Sequence, residues 1–170
     1  GRIDAADYPA DQDVNVAARN AAVRETMEEA GLKIESDGFV QFAHWTPPPS
    51  TPRRYATWFY ACSAKHGHEI EVDGHEIQDH AWLTPAAALE RHAKGEIDLA
   101  PPTWVTLYDL DRHQVADAAL AHFASREPNV YETHVGMRAD GVRVAMWLGD
   151  AGYEGTNADA PGARHRLTMA

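Results

Sequence analysis

Arg24-Glu25-Thr26-Met27-Glu28-Glu29-Ala30-Gly31-Leu32 is the stretch from which the rest of the chain can be read. It places three carboxylates within five residues and then stops at a glycine, the residue that commonly closes a helix in the left-handed conformation. At about 100° per residue, Glu25, Glu28 and Glu29 occupy an arc of roughly 100°, and Val16, Val23, Met27 and Ala30 fall on the opposite side. The pattern predicts a helix over about 13–31, started by Asp13 or Asn15, with an apolar face to pack and an acidic face to present. Ala18, Ala21 and Ala22 continue the acidic side toward the N-terminus, so methyl groups rather than lysines stand beside the carboxylates.

Three like charges at these spacings repel by a few tenths of a kcal/mol per pair, at about 0.2–0.5. Near a helix C-terminus they also oppose the macrodipole. A hard divalent cation removes both penalties, because Mg²⁺ takes oxygen ligands and is commonly held by one or two carboxylates together with substrate phosphates. A solvated acidic face is the bland alternative. Arg24, Glu25, Glu28, Glu29 and Gly31 at this spacing arise by chance in about one chain of this length in ten thousand, which favours chemistry over decoration.

The stretch resembles the second half of the Nudix box, whose pattern is Gly-x5-Glu-x7-Arg-Glu-U-x-Glu-Glu-x-Gly-U with U apolar. Arg24, Glu25, Glu28, Glu29, Gly31 and Leu32 match, and Thr26 is a mild departure. The front half departs more: Gly1 lies nine residues further from the arginine than the pattern has it, and Val16 stands eight before Arg24 in place of a glutamate. His44-Trp45-Thr46-Pro47 and Pro52-Arg53-Arg54-Tyr55-Ala56-Thr57-Trp58-Phe59-Tyr60 are similar to the subgroup that includes the peroxisomal coenzyme A diphosphatases. Glu76 to Pro85 is similar to the segment before the closing helix of many Nudix proteins.

The fold this resemblance implies is α/β, an α/β/α sandwich around a mixed sheet, with the usual strands before the box missing from this chain. It further implies hydrolysis of a diphosphate linkage in a nucleoside diphosphate derivative, with Mg²⁺ or Mn²⁺ as cofactor. Glu25, Glu28 and Glu29 are the implied metal ligands, and Arg24 orients a carboxylate. Glu76, with Asp79 second, is the candidate to complete the catalytic set, and either Glu25 or Glu76 would be the general base. Arg54 offers a guanidinium fork for substrate phosphate. Coenzyme A or an acyl-CoA is the first narrower substrate. Nucleotide sugars, dinucleoside polyphosphates and a non-catalytic nucleotide- or protein-binding module are the alternatives.

The remaining sequence sets the frame. With 170 residues the chain suits a single domain, 1–170. A formal charge of −11 argues against nucleic acid or an anionic membrane as partner and leaves a small molecule, with a homodimer open. Cys62 as the single cysteine excludes an internal disulfide and fits a small buried strand residue in a reducing compartment; with no signal-peptide pattern, the cytoplasm is the expected location.

Strands are expected over 38–46, 54–64 and near 80–83, and helices over 85–93, 101–110 and 111–125. A hairpin of VYETHVGMR and VRVAMWLGD turns at Ala139-Asp140-Gly141. Trp45, Trp58 and Tyr60 read as core rather than base-stacking aromatics. His66, His68 and His75 lack zinc-ligand spacing, and residues 151–170, with Arg164-His165-Arg166, read as loop or tail.

Overall fold

A computed structural model describes residues 2–64 and 81–169. The long helix α1 spans Val14–Ala30, with the Asp13 carboxylate accepting from the Asn15 amide at 2.8 Å and Gly31 closing it at φ 65°. Three further helices follow: α2 (Pro85–Ala93), α3 (Pro101–Leu110) and α4 (Ala116–Ala124). Proline begins α2 and α3, where its missing N–H is not needed. The strands are β1 (Val40–Thr46), β2 (Thr57–Ala61), β3 (Asn129–Glu132), β4 (His134–Met137), β5 (Arg143–Met146) and β6 (Arg166–Met169), forming sheets of order β2-β1-β3 and β4-β5-β6. The fold is thus mixed α/β. Among the described residues no helix is long and apolar enough to cross a membrane.

The chain divides into two compact units, Gly1–Phe42 with Tyr60–Glu127, and Ala43–Phe59 with Pro128–Ala170. In the first, Phe42 stacks on Phe123 with ring centroids 4.8 Å apart, and both are buried, as are Ala88 and Ala119. In the second, Trp45 stacks on Tyr131 at 3.9 Å and meets Trp147 edge-on at 5.4 Å. The core reading of Trp45 holds, since it is buried.

Several expectations change. The packed side of α1 is not the one bearing Val16 and Met27, which are 42% and 53% exposed; Ala17, Ala18 and Ala21 are the buried residues. At about 100° per residue these alanines lie on the same side as Glu25, Glu28 and Glu29. Methyl groups allow the helix backbone to approach its neighbours closely, so one strip is apolar and packed at its start and acidic at its end. Glu25 and Glu29 are accordingly half-buried instead of standing on an outward face.

VYETHVGMR is two strands. β3 pairs parallel with β1, Trp45 opposite Tyr131, and β4 pairs antiparallel with β5, Gly136 opposite Val144. Thr133 separates them, donating its amide to the Thr46 carbonyl at 3.0 Å and accepting from the Trp147 indole N–H at 3.0 Å. The hairpin turns where expected, with Gly141 at φ 84°. The supposed tail supplies β6, paired antiparallel with β5, Val144 opposite Thr168. α4 is shorter than expected, because Val115 before it is extended, at φ −140° and ψ 152°. β2 is likewise shorter, and Cys62 lies just beyond its end, half-buried, where burial pushes its thiol upward. Residues 81–83 form no strand.

Candidate active site

The last turns of α1 carry the site. Gly31 donates to the Met27 carbonyl at 3.1 Å and Leu32 to the Thr26 carbonyl at 3.3 Å, so the chain turns away immediately after Glu29. A side chain at position 31 would be strained by the left-handed backbone.

Arg24 is the organising cation. Its Nε and Nη2 donate to the two oxygens of Asp7 at 3.2 and 2.9 Å, and Nη2 also reaches the Arg2 carbonyl at 2.9 Å. The other arm, Nη1, donates to Glu28 Oε2 at 2.9 Å, while Glu25 Oε1 lies 3.5 Å from Nη2. Asp4 stands 3.7 Å away, so one guanidinium meets four carboxylates.

Asp7 is 5% exposed and is tied to α1 through Asn20 and Arg24. Asn20 Nδ2 donates to its carbonyl at 2.8 Å, and the Asp4 amide donates to its Oδ2 at 2.8 Å. The Arg24 hydrogen bond holds the Asp7 carboxyl below its usual range despite burial, and Asp7 in turn, followed by Glu28, holds the guanidinium charged.

Asp7 is the Arg24 partner that the spacing backward from Arg24 conceals. Counted forward from Gly1, it fills the acidic position of Gly-x5-Glu with aspartate. It stands seventeen residues before Arg24, against eight in the pattern. The ion pair thus forms across nine more residues than the pattern has.

The structure brings Arg24, Glu25 and Glu28 together, with Glu29 on the same helical strip. Arg54 belongs to the second unit, in the connection from β1 to β2, where its Nε donates to the Pro47 carbonyl at 3.0 Å. Glu76, Asp79, His66, His68 and His75 lie outside the described residues. Tyr60 donates to the Asn15 carbonyl at 3.4 Å, and Trp58 lies against His44 at 4.8 Å.

As a donor set, Glu25, Glu28 and Glu29 fit a hard divalent cation: all offer carboxylate oxygens, and Glu28 is exposed on a side chain long enough to turn. Among the described residues no three acidic, histidine or cysteine groups converge as a preformed metal nest, and Glu28 faces Arg24.

A family model described as the NUDIX domain matches residues 13–115. The chain also resembles the crystal structure of a NUDIX hydrolase from Alicyclobacillus acidocaldarius, with a TM-score of 0.60 at 21% identity, over 71% of this chain and 78% of that one.

Proposed function

This chain belongs to the NUDIX family of pyrophosphohydrolases, and from that premise we propose that it uses Glu25, Glu28 and Glu29 to hold Mg²⁺ or Mn²⁺ and hydrolyses a coenzyme A-type diphosphate. The family acts on nucleoside diphosphate derivatives and generally requires divalent metal. The bound ion would neutralise phosphate charge and make a water more acidic. The chain's own residues supply the rest. Arg24, held by Asp7, orients the Glu28 carboxylate, which is exposed one turn before the helix closes at Gly31. Glu25 or Glu76 would accept the proton of the attacking water, and Arg54 would meet a substrate phosphate.

The observation that carries this reading is the clamp from Asp7 through Arg24 to Glu28, which joins both halves of the motif despite the insertion. The coenzyme A assignment is supported by the His44–Pro47 and Pro52–Tyr60 segments and is the narrower claim. Chromatographic measurement of the two phosphorylated cleavage products from coenzyme A, an acyl-CoA, nucleotide sugars and dinucleoside polyphosphates, each with Mg²⁺, tests both. Turnover fastest on coenzyme A compounds is expected; faster turnover of another class would overturn the substrate, and no metal-dependent turnover of any would overturn the enzyme.

A further inference from the structure

The second unit holds a basic cavity unrelated to the acidic strip. It has a volume of about 310 Å³ and is lined by Arg138, Val144, Ala158, Asp159, Arg164, Arg166 and Thr168. The register of the β4-β5-β6 sheet explains this lining. Val144 opposes Thr168, and Arg166 lies two residues from Thr168 on the same face. The inner part of that face is apolar and closed, with Val144, Met146, Tyr153 and Ala158 buried together. The loop between β5 and β6 lies over it, because a Cβ on Gly136 would collide with the Thr156 carbonyl oxygen.

The outer part is where guanidinium groups collect. Arg166 is fixed, its Nε donating to Asp150 at 2.6 Å and its Nη1 to the Ala158 carbonyl. Arg138 is tied through one nitrogen, Nη2, to Asp140 at 2.7 Å. Arg164 donates only to the Ala160 carbonyl and, among the described residues, has no carboxylate partner. Asp159 is the one acidic side chain in the lining, and its Oδ2 already accepts from the Ala139 amide at 2.8 Å. The cavity therefore offers remaining donors on Arg138 and Arg164 and the Thr168 hydroxyl, and its lining carries three guanidinium groups against the single carboxylate of Asp159. This is unusual in a chain of net charge −11.

We propose that this cavity binds a phosphate group. Guanidinium forks match phosphate oxygens, and a dianion answers a surplus cation better than a monocarboxylate does. The volume is in the range of small-molecule sites, about 300–1,000 Å³. The ligand is either free phosphate or a phosphate monoester of a small molecule.

Calorimetric titration of the whole chain, in EDTA and an amine buffer, with inorganic phosphate, ribose 5-phosphate and acetate tests the assignment. Saturable one-to-one binding of phosphate or of the monoester is expected, weakened at least about tenfold by Arg164→Gln, as loss of a charge-assisted contact predicts. Tighter binding of ribose 5-phosphate identifies a phosphorylated small molecule; equal affinities identify free phosphate. Because Arg164 is exposed and bonds only a carbonyl, that variant should keep the parent melting temperature. Glu28→Gln/Glu29→Gln should bind phosphate as the parent does. No saturable binding, equal binding of acetate, an unchanged Kd in both Arg164→Gln and Arg138→Gln, or loss of binding in the glutamate variant would each overturn the proposal.

Discussion

A proton on Asp7 would remove the charge that holds Arg24 in place. The carboxylate is buried, receives two donors from the guanidinium and a third from the Asp4 amide, and has no catalytic distance of its own to cover. In the proposed reaction its effect would pass through Arg24, which donates to Glu28. Asp7→Asn should therefore lower kcat about 10–100-fold, the usual cost of losing a partner that orients a ligand, while leaving KM nearly unchanged. Steady-state kinetics with Asp7→Glu alongside checks this, since glutamate restores the charge and should recover much of the rate. Equal losses in both variants would indicate a packing role instead. The carboxylate strip was legible because helix geometry puts positions 25, 28 and 29 on one side of α1. Asp7 was concealed because an insertion breaks the spacing from one side, and only the fold brings positions 7 and 24 together.

At the scale of elements, α1 is decided by its alanines. Ala18 and Ala21 are each 5% exposed, so the helix sits close to whatever covers it and has no room for larger groups. Ala21→Leu should destabilise the protein by about 1–3 kcal/mol through overpacking. Met27→Ala, at a half-exposed position, should change stability by no more than about 0.5 kcal/mol. Urea denaturation distinguishes these outcomes, and the opposite ranking would restore the apolar side as the packed one. Helix limits were readable because Asp13, Pro85, Pro101 and Gly31 act on their own neighbours. The packed side of α1 was not, since hydrophobicity alone ranks Val and Met above Ala while close approach ranks them the other way. The division of VYETHVGMR at Thr133 and the pairing of β6 depend on partners far along the chain, beyond any local signal.

For the molecule as a whole, stability in acid should follow two buried carboxylates, one in each unit. Arg166, above all, and then amides of Gly152 and His165 hold the Asp150 carboxyl far below its ordinary value of 3.8, and Arg24 lowers Asp7 in the same sense. A carboxyl whose folded value is depressed stabilises the fold fully above the unfolded value and loses that contribution as pH falls through the folded one. Asp150→Asn should thus cost about 2 kcal/mol at neutral pH, as for hydrogen bonds to a charged group, and the gap to the parent should shrink below about pH 4. Melting curves from pH 7 to pH 2 check this; a gap independent of pH would mean that the charge is not what Asp150 contributes. The pair lies sixteen residues apart and carries no motif, so the sequence offers no signal for it.

The central claim is that the acidic end of α1 carries the metal-dependent reaction. The most direct measurement is the Mg²⁺ dependence of the initial rate of diphosphate cleavage, read from the nucleotide product of the best substrate, for the parent chain and for Glu28→Gln and Glu29→Gln. The account predicts saturable Mg²⁺ activation of the parent and, in each variant, a loss above about 100-fold, larger than that of residues which only orient a ligand. Variants that hydrolyse at the parent rate with the same Mg²⁺ requirement would contradict it.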